Sequence, residues 1–232
     1  WFTGQYGINN SYSTQIASFA FGSAATGIIT STNPVFVVDA GDSLSGSSGN
    51  DTIVGASGDD TVDGGNGNDL ISTGGGNDSV DGGDGNDTID SGAGDDTVSG
   101  QSGNDIVATG PGNDTILWNG IGNGVDTVVD SAGVQTVIVQ GDSIVNNYTV
   151  DSNNGLLRVA EGGASITVSN STSTINVLGG SDDDTVTINT IADVRALVLN
   201  IDGQADNDTI TAFDANIGSV RLHLNGGNGN DT

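Results

Sequence analysis

The chain has 232 residues, of which 30 are acidic and three are arginine, with no lysine, giving a net charge of −27. That balance excludes nucleic acid as a partner, since phosphate binding needs a basic patch, and it makes an anionic membrane surface repulsive. No apolar run approaches the ~20 residues of a spanning helix, so membrane insertion is not expected, and the absence of cysteine removes disulfides and thiolate metal sites.

The acid is almost all aspartate, and Glu161 is the only glutamate. Aspartate has a short side chain that turns back onto its own backbone, which suits tight turns and hard-cation sites. With 39 glycines added, composition points to many acidic turns. The apolar fraction, 34%, is low but rich in Ile and Val that recur in register. The expectation is a chain disordered without metal and ordered with it.

Residues 1–40 hold Trp1, Phe2, Tyr6, Tyr12, Phe19 and Phe21, most of the aromatics in the chain. A stacked-strand protein needs covered ends to avoid edge pairing, so this segment reads as a cap or an assembly contact. The chain begins at Trp1 and stops within "GGNGNDT". It is expected to be a window on a longer protein, with any secretion signal outside it.

Residues 41–130 form an array. Gly-Asn-Asp or Gly-Asp-Asp begins at Gly49, Gly58, Gly67, Gly76, Gly85, Gly94, Gly103 and Gly112, always nine residues apart. Two residues after each Asp stands a β-branched residue: Ile53, Val62, Ile71, Val80, Ile89, Val98, Val107 and Ile116. "GGNGNDLIS" and "GGDGNDTID" are the most complete copies. The pattern resembles the RTX (haemolysin-type) calcium-binding nonapeptide repeat, G-G-x-G-x-D-x-U-x. That resemblance implies a β-roll, calcium as ligand, and export from bacteria.

The period can also be read physically. Three residues make a short strand with one inward side chain, and six remain for a turn in which glycine supplies positive φ. Two such halves close an 18-residue coil, and successive coils pair as parallel strands ~4.8 Å apart. Ile53, Ile71, Ile89 and Val107 then form one wall of the core. Val62, Val80, Val98 and Ile116 form the other. Asp51, Asp69, Asp87 and Asp105 fall in one column, and Asp60, Asp78, Asp96 and Asp114 in another. Unit charges at that spacing repel by roughly 3–4 kcal/mol at an effective dielectric near 20. A divalent cation between coils reverses the sign, and calcium fits because it accepts six to eight oxygens in flexible geometry.

The segment "GIGNGVDTVV" reads as a degenerate repeat joining two registers, with Asp126 in the metal position. Over 131–232 longer apolar–polar alternations appear, among them "VQTVIVQ", "LLRVA" and "STINVL", separated by Gly, Asn and Asp. Asp184-Thr185-Val186 returns as Asp208-Thr209-Ile210, and Asp231-Thr232 follows. The expectation is a wider β-solenoid with one acidic turn per coil, carrying metal positions at Asp184, Asp208 and Asp231. "TIADVRALVLN" (190–200) has some helical spacing, but its β-branched residues and the repeat register favour a strand.

The fold class is therefore all-β, a parallel β-solenoid with calcium-binding turns continuing into a wider solenoid. Other chemistry finds little footing. His223 is the only histidine, so a Ser-His-Asp triad or a zinc site has little to build on. The favoured function is a non-enzymatic, calcium-dependent structural protein outside the cell: a surface layer, sheath, filament or adhesin segment that self-associates. The competing reading is the folding and secretion module of a secreted enzyme or toxin.

Overall fold

The computed structural model describes residues 43–232, together with Gly41 and two earlier strands, apart from positions 121, 130–131, 143, 154, 170–171, 192–193, 195–196 and 214–218. The aromatic residues expected to form a cap, and Arg195, lie outside the described residues. Among the latter there is no helix.

Ten strands of three residues come first: β1 (Thr26–Ile28), β2 (Val35–Val37), β3 (Ser43–Ser45), β4 (Thr52–Val54), β5 (Thr61–Asp63), β6 (Leu70–Ser72), β7 (Ser79–Asp81), β8 (Thr88–Asp90), β9 (Thr97–Ser99) and β10 (Ile106–Ala108). Longer strands follow: β11 (Asn113–Trp118), β12 (Val125–Val128), β13 (Val134–Gln140), β14 (Asn147–Asn153), β15 (Leu156–Glu161), β16 (Ala164–Val168), β17 (Thr172–Gly180), β18 (Thr185–Ile188), β19 (Val198–Gln204), β20 (Thr209–Ala212) and β21 (Arg221–Asn225).

The strands sort into two sheets. Sheet A runs β1-β3-β5-β7-β9-β11-β13-β17-β19-β21, and sheet B runs β2-β4-β6-β8-β10-β12-β16-β15-β14-β18-β20. Ile53 pairs with Ile71 and Ile71 with Ile89 in sheet B, while Val62 pairs with Val80 and Val80 with Val98 in sheet A. The 18-residue coil of the sequence is thus the coil of the structure. In β3 to β10 the central residue is buried between the sheets, and the residues on either side are exposed or half-buried, except Ser99, which is buried. Leu44 joins the same core one coil before Val62.

At β11 the strands lengthen and the core widens. Ile116 and Trp118 are both buried there. Val137 and Val139, then Ile175 and Val177, then Leu199 and Ile201 continue sheet A with two inward residues each. The solenoid has about eight turns.

Two expectations are corrected. The second half is not wholly parallel: β14, β15 and β16 form an antiparallel meander set between β12 and β18. The chain enters sheet B at β14 and turns back through β15 and β16, so β16 pairs parallel with β12 and β14 with β18. Gly155, Gly162 and Gly163 supply the positive φ of the two tight returns. In addition, the strand expected over 190–200 begins only at Val198. Ile191, Val194 and Leu197 are buried outside any strand, at intervals of three.

Candidate metal centre

Seven of the eight nine-residue units place their Asp at the last position before a strand, and the eighth, Asp114, is the second residue of β11. The turn from Gly64 to Asp69 runs from sheet A to sheet B, and Gly65 and Gly67 take φ of +95° and +126°. A Cβ at Gly85 would lie 1.8 Å from the Gly67 carbonyl oxygen of the coil below, so only glycine lets these turns stack.

Two hydrogen-bond ladders run along the turns in opposite senses. In the inner one, the main-chain N–H of each Asp donates to Oδ1 of the Asp one coil later. Asp51 donates to Asp69, Asp69 to Asp87, Asp87 to Asp105 and Asp105 to Asp126, at 2.7–2.9 Å. Asp60, Asp78, Asp96 and Asp114 form the equivalent series at the other corner. In the outer ladder, the preceding Asn or Asp accepts from the coil after it: Asn68 N–H donates to Asn50 Oδ1, Asn86 to Asn68 and Asn104 to Asn86. The inner side chain thus reaches backward and the outer one forward. Each ladder asks for one acceptor oxygen, so an amide suffices at the outer position.

At most of the inner Asp residues one oxygen is left over. Oδ2 of Asp69, Asp78, Asp87, Asp105, Asp114, Asp184 and Asp208 is buried with no hydrogen-bond partner. A buried carboxylate oxygen in that state calls for a cation or a proton. The glycine opening the turn lets that oxygen and a main-chain carbonyl approach where a side chain would collide with both. A Cβ at Gly64 would lie 2.7 Å from Asp69 Oδ2 and 2.3 Å from the Gly82 carbonyl oxygen. At Gly179 the corresponding distances are 2.6 Å to Asp184 Oδ2 and 2.5 Å to the Gly203 carbonyl oxygen. A carboxylate and a carbonyl on adjacent coils, all oxygen, suit a hard divalent cation. Among the described residues no three acidic or histidine side chains converge on one point, so main-chain oxygens must complete any shell.

The electrostatics agree. Burial, aided by the charges of Asp105, Asp69 and Asp81, pushes Asp87 up to about 7, although the Asp69 N–H opposes it. Asp105 also rises to about 7, from burial first and then from Asp126. Burial lifts Asp184 to about 6, with Asp208, Asp182 and Glu161 adding to it. Asp69 is raised for the same reasons. A stack of acids that resists ionisation is a stack that lacks a counter-charge.

The expected positions do not all look alike. Asp51 Oδ2 accepts from the Ser47 N–H and hydroxyl. Asp126 ends the first column: its Oδ1 serves Asp105, but its Oδ2 accepts the Trp118 indole N–H at 2.8 Å. This amends the expectation for Asp126, whose second oxygen already has a donor. Beyond the meander the column resumes as Asn146, Asp184, Asp208 and Asp231, linked by the same bonds.

The two corners also differ. Glycine opens the turns before Asp51, Asp69, Asp87 and Asp105. At the other corner Gly55 opens the turn before Asp60, and Thr73, Ser91 and Thr109 open those before Asp78, Asp96 and Asp114. Thr73 Oγ1 donates to the Ser91 carbonyl and Ser91 Oγ to the Thr109 carbonyl, so hydroxyls take the oxygens that stay open on the glycine side.

The sequence family described as the RTX calcium-binding nonapeptide repeat matches in four overlapping copies, at residues 38–71, 45–80, 64–98 and 81–116. No curated protein matches the chain.

Proposed function

We propose, for a chain whose residues 38–116 are RTX calcium-binding nonapeptide repeats, that it is an extracellular structural segment which folds when calcium fills its turns. RTX nonapeptide repeats bind calcium, and proteins that carry them are generally secreted. The observation that carries the reading is the row of buried Oδ2 atoms without partners, of which those of Asp69, Asp87, Asp105, Asp184 and Asp208 lie against a turn-opening glycine. The ligands would be Asp51, Asp60, Asp69, Asp78, Asp87, Asp96, Asp105 and Asp114 in the first half and Asp184, Asp208 and Asp231 in the second, with main-chain carbonyls. Asp126 would serve only if it gave up Trp118.

The mechanism is linkage. Where free calcium is low, repulsion along the columns outweighs a core of one Ile or Val per nine residues. The chain stays open and can be exported. Outside, the bound ion's free energy becomes folding free energy. A structural role is favoured because the solenoid continues through the meander and resumes an acidic column, so the described chain is scaffold throughout.

Electron microscopy of calcium-loaded full-length material tests this role. Fibres, sheets or lattices are expected. Monodisperse particles lacking any assembly would move the protein to the competing reading, a folding module of a secreted enzyme or toxin.

A further inference from the structure

The chain carries 30 acidic residues against three arginines, yet the outward face of sheet B over β4 to β12 is almost free of charge. Beside the core residues Ile53, Ile71, Ile89, Val107 and Val128 stand ten outward residues, two to each, and Asp90 alone among them is charged. Leu70 is 51% exposed, Ile106 46% and Val129 50%. The rim of this face at the sheet A to sheet B corner is uncharged too. It is the outer Asn ladder, ended by Val125, which is also exposed. Sheet A differs: over β3 to β9 its outward face holds Asp63 and Asp81 in register and no exposed large apolar residue.

Size alternates along the sheet B face. Leu70 pairs with Thr88, Thr88 with Ile106 and Ile106 with Thr127, so one column reads large, small, large, small, one coil apart. A two-fold axis lying in the plane of the face, between β8 and β10, turns that column end for end. Leu70 of one copy then falls over Thr127 of the other, and Ile106 over Thr88. In the neighbouring column Ser72 falls over Val129 and Asp90 over Ala108, so the two Asp90 carboxylates do not face each other. A row that becomes its own complement on reversal fits a second copy of the same chain, as an isologous contact requires.

Charge selects the same face. Two copies of so acidic a chain repel wherever they present carboxylates, and here they can touch with the least repulsion. The six strands from β4 to β16, ~4.8 Å apart and four residues wide, would bury about 400 Å² on each copy, at the weak end of specific contacts.

We propose that the outward face of sheet B, centred on Thr88 and Ile106, is a pairing surface for a second copy of this chain, laid antiparallel and sheet to sheet. The contact deepens the structural reading above and rests on it. Calcium first closes the coil and neutralises its corners, and the uncharged faces then meet ~10 Å apart. Salt screens the acid that remains, so it tightens the pair rather than breaking it.

Sedimentation equilibrium of the full chain, up to high micromolar concentration, tests this. Wild type should show a reversible monomer–dimer equilibrium in calcium that tightens with added salt, and none in chelator. Leu70→Asp and Ile106→Asp should each weaken it by about tenfold or more, because a carboxylate is then buried without a partner. Thr61→Asp, the matching change on sheet A, should leave it unchanged. Leu70→Asp mixed with Thr127→Lys should pair more tightly than either variant alone, since the two positions lie opposite each other. All four positions are exposed or half-buried, so the calcium-induced far-UV transition should remain in every variant. A wild-type chain that folds with calcium and stays monomeric, or a dimer indifferent to both carboxylates, would overturn the pairing and leave the calcium reading in place. Monomeric wild type that sediments with an insoluble neutral polysaccharide, while Ile106→Asp stays in solution, would give the face to that partner instead. A chain that neither folds nor assembles with calcium would overturn the structural reading itself.

Discussion

The main-chain N–H of Asp87 donates to Oδ1 of Asp105, 18 residues later, at 2.8 Å. The other oxygen of Asp105 is buried without a partner. One carboxylate thus has a structural oxygen and a second that awaits a cation. Asp87→Asn and Asp87→Ala separate the two roles. Asparagine keeps an acceptor for the Asp69 N–H, whereas alanine strands that donor, at a cost of about 1–3 kcal/mol. In saturating calcium both variants should be less stable to urea than wild type, with alanine the worse. In chelator the asparagine variant should be the more structured, because a repelling charge is gone. Equal behaviour of the two variants in calcium would contradict the division of labour.

The acidic columns should also answer to protons. Asp87 and Asp105 stand near 7 and Asp184 near 6, against about 3.9 for an unfolded aspartate. The folded, metal-free chain therefore binds protons more tightly than the unfolded one. Its proton-linked stability is fully present below about pH 4 and is lost as pH climbs through 6 to 7. In chelator, circular dichroism should show more β structure at pH 4.5 than at pH 8. Calcium uptake should release protons and tighten over the same window. A metal-free chain better ordered at pH 8 would contradict this.

Glycine at the turn opening can be tested without forcing a left-handed φ on the replacement. Gly64 and Gly75 both have ordinary φ. A Cβ at Gly64 enters the cradle of Asp69 Oδ2 and the Gly82 carbonyl, but one at Gly75 meets nothing nearer than 3.6 Å. Gly64→Ala should raise the calcium midpoint of folding. Gly75→Ala should change stability by less than about 0.5 kcal/mol. Calorimetric titration of both variants checks it.

The hydroxyl corner should bind more weakly than the glycine corner. Calorimetry of wild type should resolve two classes of site. The variant carrying Thr73→Gly, Ser91→Gly and Thr109→Gly should bring the classes together, with the weaker tightening about tenfold, or 1.4 kcal/mol per site. It should also be less ordered in chelator, since the Thr73 and Ser91 hydrogen bonds are lost.

The first half was legible because nine residues fix one inward Ile or Val, one Asp and one turn, and eight copies leave no freedom of register. The pairing of Ile53, Ile71 and Ile89 and the columns of Asp followed from that arithmetic. The outer Asn ladder was visible as the residue before each Asp, but its opposite sense depends on which main-chain N–H comes within reach. The Trp118 to Asp126 bond was hidden because Trp118 falls only once, where the strands lengthen. The β14–β16 meander was hidden because alternation is the same for parallel and antiparallel strands.

The most direct test of calcium as the element that closes the coil is far-UV circular dichroism of the full chain at pH 7.5, with calcium and with excess chelator. Calcium should give a β spectrum and a cooperative melt, and chelator the spectrum of an unfolded chain, reversibly. A chelated sample with the β spectrum and melting transition of the calcium-loaded one would contradict the account.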